Sequence, residues 1–178
     1  MDNKKLFIFS MHRARLEQSK WIASIKRLIN DPKSQVENTF FDTYFSQWFK
    51  NTACYLLFHD ECNTLKKVET LIQDLDGEYN LYYNIVIVKR KKSFIGSFKP
   101  LTSHEESAAS RYLRAIKIIN EQIDVALETL DKNIVHMNEN NFDFMSTIQT
   151  DTNLNLEQEK KSDSKKSNFG ARGAYQDN

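Results

Sequence analysis

The chain has 178 residues, 40% of them apolar, and its 12 Phe, 7 Tyr and 2 Trp suffice for the core of one compact domain. Lys and Arg total 25 against 24 Asp and Glu, so the formal net charge of +1 gives no strong signal for nucleic acid or an anionic membrane. Only 4 Gly and 2 Pro are available for turns, which disfavours an all-β fold, and the two cysteines, Cys54 and Cys62, are too few for a disulfide scaffold.

No apolar run reaches membrane-spanning length, and the N-terminal run LFIF lacks the flanks of a signal peptide, so the expectation is a soluble cytoplasmic protein. Residues 3–30 read as a first helix with Met11, Gln18, Ile22, Ile25 and Ile29 along one stripe, ended by Asn30, Asp31 and Pro32. Residues 33–51 hold a dense aromatic cluster, of which Phe41, Phe45, Trp48 and Phe49 share a face on a short helix. The stretch 52–63 is ambiguous, since CYLLF fits the end of one helix or the start of another.

Two stripes dominate the middle of the chain. Leu65, Val68, Ile72, Leu75, Tyr79, Tyr82 and Val86 recur every three or four residues on a helix expected at 62–91. Tyr112, Ile116, Ile119, Ile123, Leu127, Leu130, Ile134 and Met137 do the same on a helix expected at 104–138, with Ser103 and Glu106 spaced as a capping box. Gly96 and Pro100 mark the connection between them. The fold class predicted is all-α: an antiparallel four-helix bundle over 3–138, followed by a polar, largely flexible tail over 139–178.

Few residues suggest chemistry. His59 and Cys62, three apart, would offer a nitrogen and a sulfur to zinc, with His12, His104 or His136 needed to complete the ligand set. No cofactor is expected, and zinc at His59 and Cys62 is the alternative. Asp74 and Glu78 share a helix face but sit among polar residues, as a solvated face would. The basic run Lys89, Arg90, Lys91 and Lys92, extended by Lys99, reads as a charged helix end without a phosphate loop or recognition helix. Tyr79, Tyr82 and Tyr83 cannot all point into one stripe, so with the basic run they form a candidate interaction surface.

Gln18 lies on an otherwise apolar stripe, and with Thr43 it is a candidate buried polar cluster. The segments QSKW at Gln18–Trp21 and TYFSQWF at Thr43–Phe49 resemble a degenerate zinc-binding chemoreceptor (CZB) domain. That resemblance implies a helical bundle that tunes signalling proteins in response to zinc or oxidants. It would place the family's first histidine at Gln18, its cysteine at Thr43 and its glycine at Ser46, while Phe45 and Trp48 keep the aromatic part. The metal ligands expected of the family are missing, and Thr70 and Asp74 stand at about the spacing of its histidine pair. The functional expectation is a non-enzymatic regulatory or sensory module that recognises another protein, or itself, through helix surfaces. A small-ligand or metal sensor is the alternative, and a nucleic-acid-associated protein ranks behind both.

Overall fold

The computed structural model describes residues 2–60, 63–90 and 98–148, and these are mostly helical. Five α-helices occur among the described residues: α1 (Asn3–Arg27), α2 (Tyr44–Asn51), α3 (Thr64–Tyr83), α4 (Ser103–Ile134) and α5 (residues 144–148). The all-α expectation holds. The far C-terminal part of the expected tail, 149–178, lies outside the described residues.

Each long helix starts where a side chain can accept its orphan amide hydrogens. The Asp2 carboxylate accepts from the amides of Lys4 at 2.9 Å and Lys5 at 3.4 Å. After α1 the Asp31 carboxylate accepts from the Lys33 amide and the Ser34 hydroxyl, which turns the chain at Pro32. Thr43 caps α2, its hydroxyl accepting from Ser46 N–H at 3.3 Å while donating to the Phe40 carbonyl at 2.8 Å. The ambiguous stretch resolves into a short 3-10 turn at Ala53–Leu56 and a further turn. Asn63 then takes φ 54° and its side chain does not cap α3. Asp60 does so instead, accepting from Leu65 N–H at 2.6 Å.

For α4 the capping box sits one residue earlier than Ser103 and Glu106. Thr102 accepts from Glu105 N–H at 3.3 Å, and the Glu105 carboxylate accepts from Thr102 N–H at 2.9 Å. Both pairs have the right spacing, and the pair that leaves Ser103 free to be the first helical residue wins.

Both long stripes are buried as their spacing demands. Every residue from Leu65 to Val86 on the first stripe is buried. On the second, Ile116, Ile123, Leu127, Leu130 and Ile134 are buried, with Tyr112, Ile119 and Met137 packed partly against the core. At Asn84–Val88 the α3 helix widens into a π turn, closed by Lys89 N–H on the Asn84 carbonyl at 2.9 Å. The wider turn lets three consecutive residues, Ile85, Val86 and Ile87, face inward.

Along α1, Arg15 meets Asp124 at 3.2 Å and Glu128 at 3.1 Å, while the Lys4 ammonium donates to the Val135 and Met137 carbonyls near the far end of α4. Those helices are therefore antiparallel. Trp48 Nε1 donates to the Ser10 hydroxyl at 3.0 Å and Phe40 packs on Trp21, so the α2 layer also runs against α1. Trp21 meets Tyr79 edge-on at 4.8 Å between ring centroids, and further along both helices Tyr82 reaches Ile25, so α1 and α3 share a direction. The body extends past residue 138: a 3-10 turn at Glu139–Phe142 and α5 bury Phe142 and Met145 against Phe7 and its neighbours.

Gly77 sits inside α3 with nothing within 4 Å of an added Cβ. Gly77→Ala should therefore raise stability by up to about 1 kcal/mol, or a few degrees in Tm. No gain in thermal unfolding would mean that α3 is bent or frayed there. The Glu105 carboxyl is held below its usual range by its bonds to the Thr102 N–H and hydroxyl. Its contribution is thus complete above the unfolded carboxyl's pKa of about 4.3 and is lost as pH falls through the lower folded value. Glu105→Gln should flatten the acid limb of the stability curve measured by denaturant titration.

Candidate functional site

Gln18 is 3% exposed on the buried side of α1, yet neither its Oε1 nor its Nε2 has a partner among the described residues. One turn on, Trp21 is 5% exposed and its Nε1 hydrogen is also unpartnered. Both residues line a half-open cavity of about 210 Å³ between α1, residues 35–37 of the connection and the start of α2. Phe45 and Tyr44 form its aromatic wall, and Glu17, Lys20 and Glu37 stand around it. Lys20 is paired with Glu17 at 2.8 Å, which leaves Glu37 as the uncompensated charge there.

Thr43 lines the same cavity and is 2% exposed, so the structure brings both members of the expected polar cluster to one place. They play different parts. The Thr43 hydroxyl is fully used as the α2 cap, whereas the Gln18 amide finds no partner among the described residues. A buried polar group without a partner costs about 1–3 kcal/mol, and an amide presents one donor side and one acceptor side together.

The expected interaction surface is largely dissolved by the structure. Tyr79 and Tyr82 are fully buried. Their hydroxyls donate to the carbonyls of Glu37 and Ile25, which is why two such large rings tolerate the interior. Tyr83 is half-buried and donates to the Asn38 side chain at 2.7 Å. Arg90 is also committed internally: it donates to the carbonyls of Ile29 at 3.0 Å and Lys99 at 2.7 Å, tying the end of α1 to the α3–α4 connection. Lys89 is exposed, and Lys91 and Lys92 lie outside the described residues.

The histidines do not assemble a metal centre. Among the described residues no three His, Cys, Asp or Glu stand close enough to hold an ion. His59 is exposed and Cys62 lies outside the described residues. His12 pairs with Asp131 at 3.3 Å on the surface, and His104 sits in the first turn of α4, at the other end of that helix from His136. His59 and His136 do share the wall of a second cavity, of about 340 Å³, with Asp60 and Asn133. Asp74 is exposed beside half-buried Glu78, so the low-dielectric walls that acid–base chemistry needs are missing at Asp74. The structural carboxylate of that segment is Asp76, which accepts from the Phe40 amide at 3.1 Å. Burial pushes the Cys54 thiol up, away from a reactive thiolate.

No family model, curated protein or solved structure matches this chain. Three residues of the cavities escaped reading from sequence. Trp21 stands three residues after Gln18 and so falls on the same face, a signal that was available. Asp60 precedes α3 as capping residues do. Asn133 gives no such signal, because the residue is only half-buried and its Nδ2 is covered through the packing of α4 beside the Asp60 turn.

Burial raises the phenol pKa of both Tyr79 and Tyr82. A raised folded value means that their contribution is complete below the unfolded pKa of about 10 and is lost as pH rises above it. Alkaline unfolding should accordingly begin near pH 10, and the double variant Tyr79→Phe with Tyr82→Phe should show a shallower alkaline slope. An unchanged slope in pH-dependent denaturation would show that these hydroxyls reach water.

Proposed function

We propose that this protein is a non-enzymatic regulatory or sensory module in which a small polar ligand engages Gln18 and shifts the α1–α2 layer against α3 and α4. The observation that carries this reading is the buried Gln18 amide with both of its polar atoms unpartnered on a cavity wall. A group that costs the resting fold stability is a natural receiver for a molecule that supplies the missing hydrogen bonds. Trp21 Nε1 adds a second free donor, and Tyr44 and Phe45 offer apolar faces to a flat molecule. Glu37 opposes anions. The ligand class is thus small, uncharged and planar, with a donor and an acceptor side by side.

The finer architecture belongs to the same proposal: α1 to α4 act as a four-helix up-and-down bundle, with α2 shortened. The CZB-like pattern fits a sensor that has exchanged chemistry, since its histidine and cysteine positions fall on Gln18 and Thr43. Hydrogen bonding would replace metal binding there. A second reading, recognition of another protein through helix surfaces, is favoured by Phe9 and Leu16. They lie seven residues apart on the outer face of α1 and are 64% and 56% exposed.

Gln18→Met keeps the side-chain length and removes both unpaired groups. It should raise stability by about 1–3 kcal/mol in denaturant unfolding. Adenine, uracil or nicotinamide should raise the Tm of the unaltered protein in a saturable way and leave that of Gln18→Met unmoved. A destabilised Gln18→Met would show that Gln18 is structural. Equal responses of both proteins to all three probes would remove the ligand reading and leave the surface one.

A further inference from the structure

The second cavity holds a complementary pair of unused groups. Asp60 is 5% exposed; one carboxylate oxygen, Oδ2, receives Leu65 N–H at 2.6 Å, while Oδ1 is buried without a partner among the described residues. Asn133, from the last turn of α4, lines the same cavity, and its Nδ2 is also buried without one. One wall therefore lacks a donor and the other lacks an acceptor. Buried carboxylates and amides are normally satisfied, because leaving them bare costs more than most single contacts return.

The charges near the cavity narrow what could fill both needs. Neither Lys nor Arg lines it among the described residues. The cation beside it, Lys4, is engaged by the Val135 and Met137 carbonyls and by Glu139 at 3.7 Å. A simple anion would face Asp60 without compensation, and a simple cation would leave Asn133 unanswered. The donor set does not suit a metal either, as no three His, Cys, Asp or Glu converge among the described residues.

We propose that this cavity binds a small zwitterion of the free α-amino acid class. The ammonium group donates to Asp60 Oδ1, and the carboxylate accepts from Asn133 Nδ2. His59 and His136, on the same wall, each carry one N–H when neutral and add a donor for that carboxylate. The volume of about 340 Å³ is roughly eleven waters' share of liquid, enough for an amino acid with a short side chain. Both unused atoms are buried, so a rotation of the half-buried Asn133 side chain admits the ligand. This site is independent of the Gln18 cavity.

The test is calorimetric titration of the full chain with L-serine, N-acetyl-L-serine and ethanolamine. L-serine should bind saturably, and the analogues lacking the ammonium or the carboxylate should bind at least about tenfold more weakly. Asn133→Leu should weaken L-serine about tenfold with little change in Tm, and Gln18→Met should leave its affinity as it was. Asp60→Asn keeps an acceptor for Leu65 N–H and should lose the preference for the ammonium. Absence of saturable L-serine binding at tens of millimolar, equal affinity for ethanolamine, or an Asn133→Leu protein that binds as before would each overturn the proposal.

Discussion

The pairing of α3 with α4 is the constraint on which everything else depends. Their stripes, running from Leu65 to Val86 and from Ile116 to Ile134, form the most extensive interface in the body and supply most of its fully buried aliphatic side chains. Burial at roughly 25 cal/mol per Å² makes such a strip the largest stabilising term available to a chain of this size. The other helices are fastened to that pair, and the manner of fastening differs.

The α1–α2 layer is attached mostly through large rings and directed hydrogen bonds. Tyr79 and Tyr82 reach from α3 to the carbonyls of Glu37 and Ile25, Arg90 holds the end of α1, and Arg15 bridges to two carboxylates on α4. Gln18 and Trp21 stand on the cavity between α1, the 35–37 segment and the start of α2, with polar atoms that no described residue answers. Among the described residues six buried side-chain atoms lack a protein partner; three belong to Gln18 and Trp21, and two to Asp60 and Asn133. Unsatisfied polarity is thus concentrated on two cavity walls, where apolar substitutes would have packed more stably. Residues that weaken a fold at a cavity are the ones whose retention asks for a reason beyond the fold.

Much of the architecture was legible in the residues. Helical spacing placed both stripes because burial against a partner tolerates no polar residue on that face, and Gln18 stood out for the same reason. The tyrosine triplet was misread: spacing reveals which side of a helix a ring takes, but not that a carbonyl of another helix will meet its hydroxyl. Tyr79 and Tyr82 lie buried where the stripe put them, and what fails is counting them with Tyr83 as a candidate surface. Arg90 shows the same limit, since a run of four basic residues carries no mark of the one that turns inward. The capping box slipped by one residue because Thr102–Glu105 and Ser103–Glu106 satisfy the same local rule. The Asp60–Asn133 pair joins the turn before α3 to the end of α4, a meeting that only tertiary packing sets.

A firm α3–α4 pair carrying a looser α1–α2 layer is the physical core of the account, and native-state hydrogen exchange measures it directly. Amides of Val68 to Tyr82 and of Ile116 to Leu130 should exchange only through global unfolding. Those around Gln18, Trp21 and Ser46 should open at distinctly lower free energy. Equal protection in both layers, or the highest protection in α1, would contradict the account.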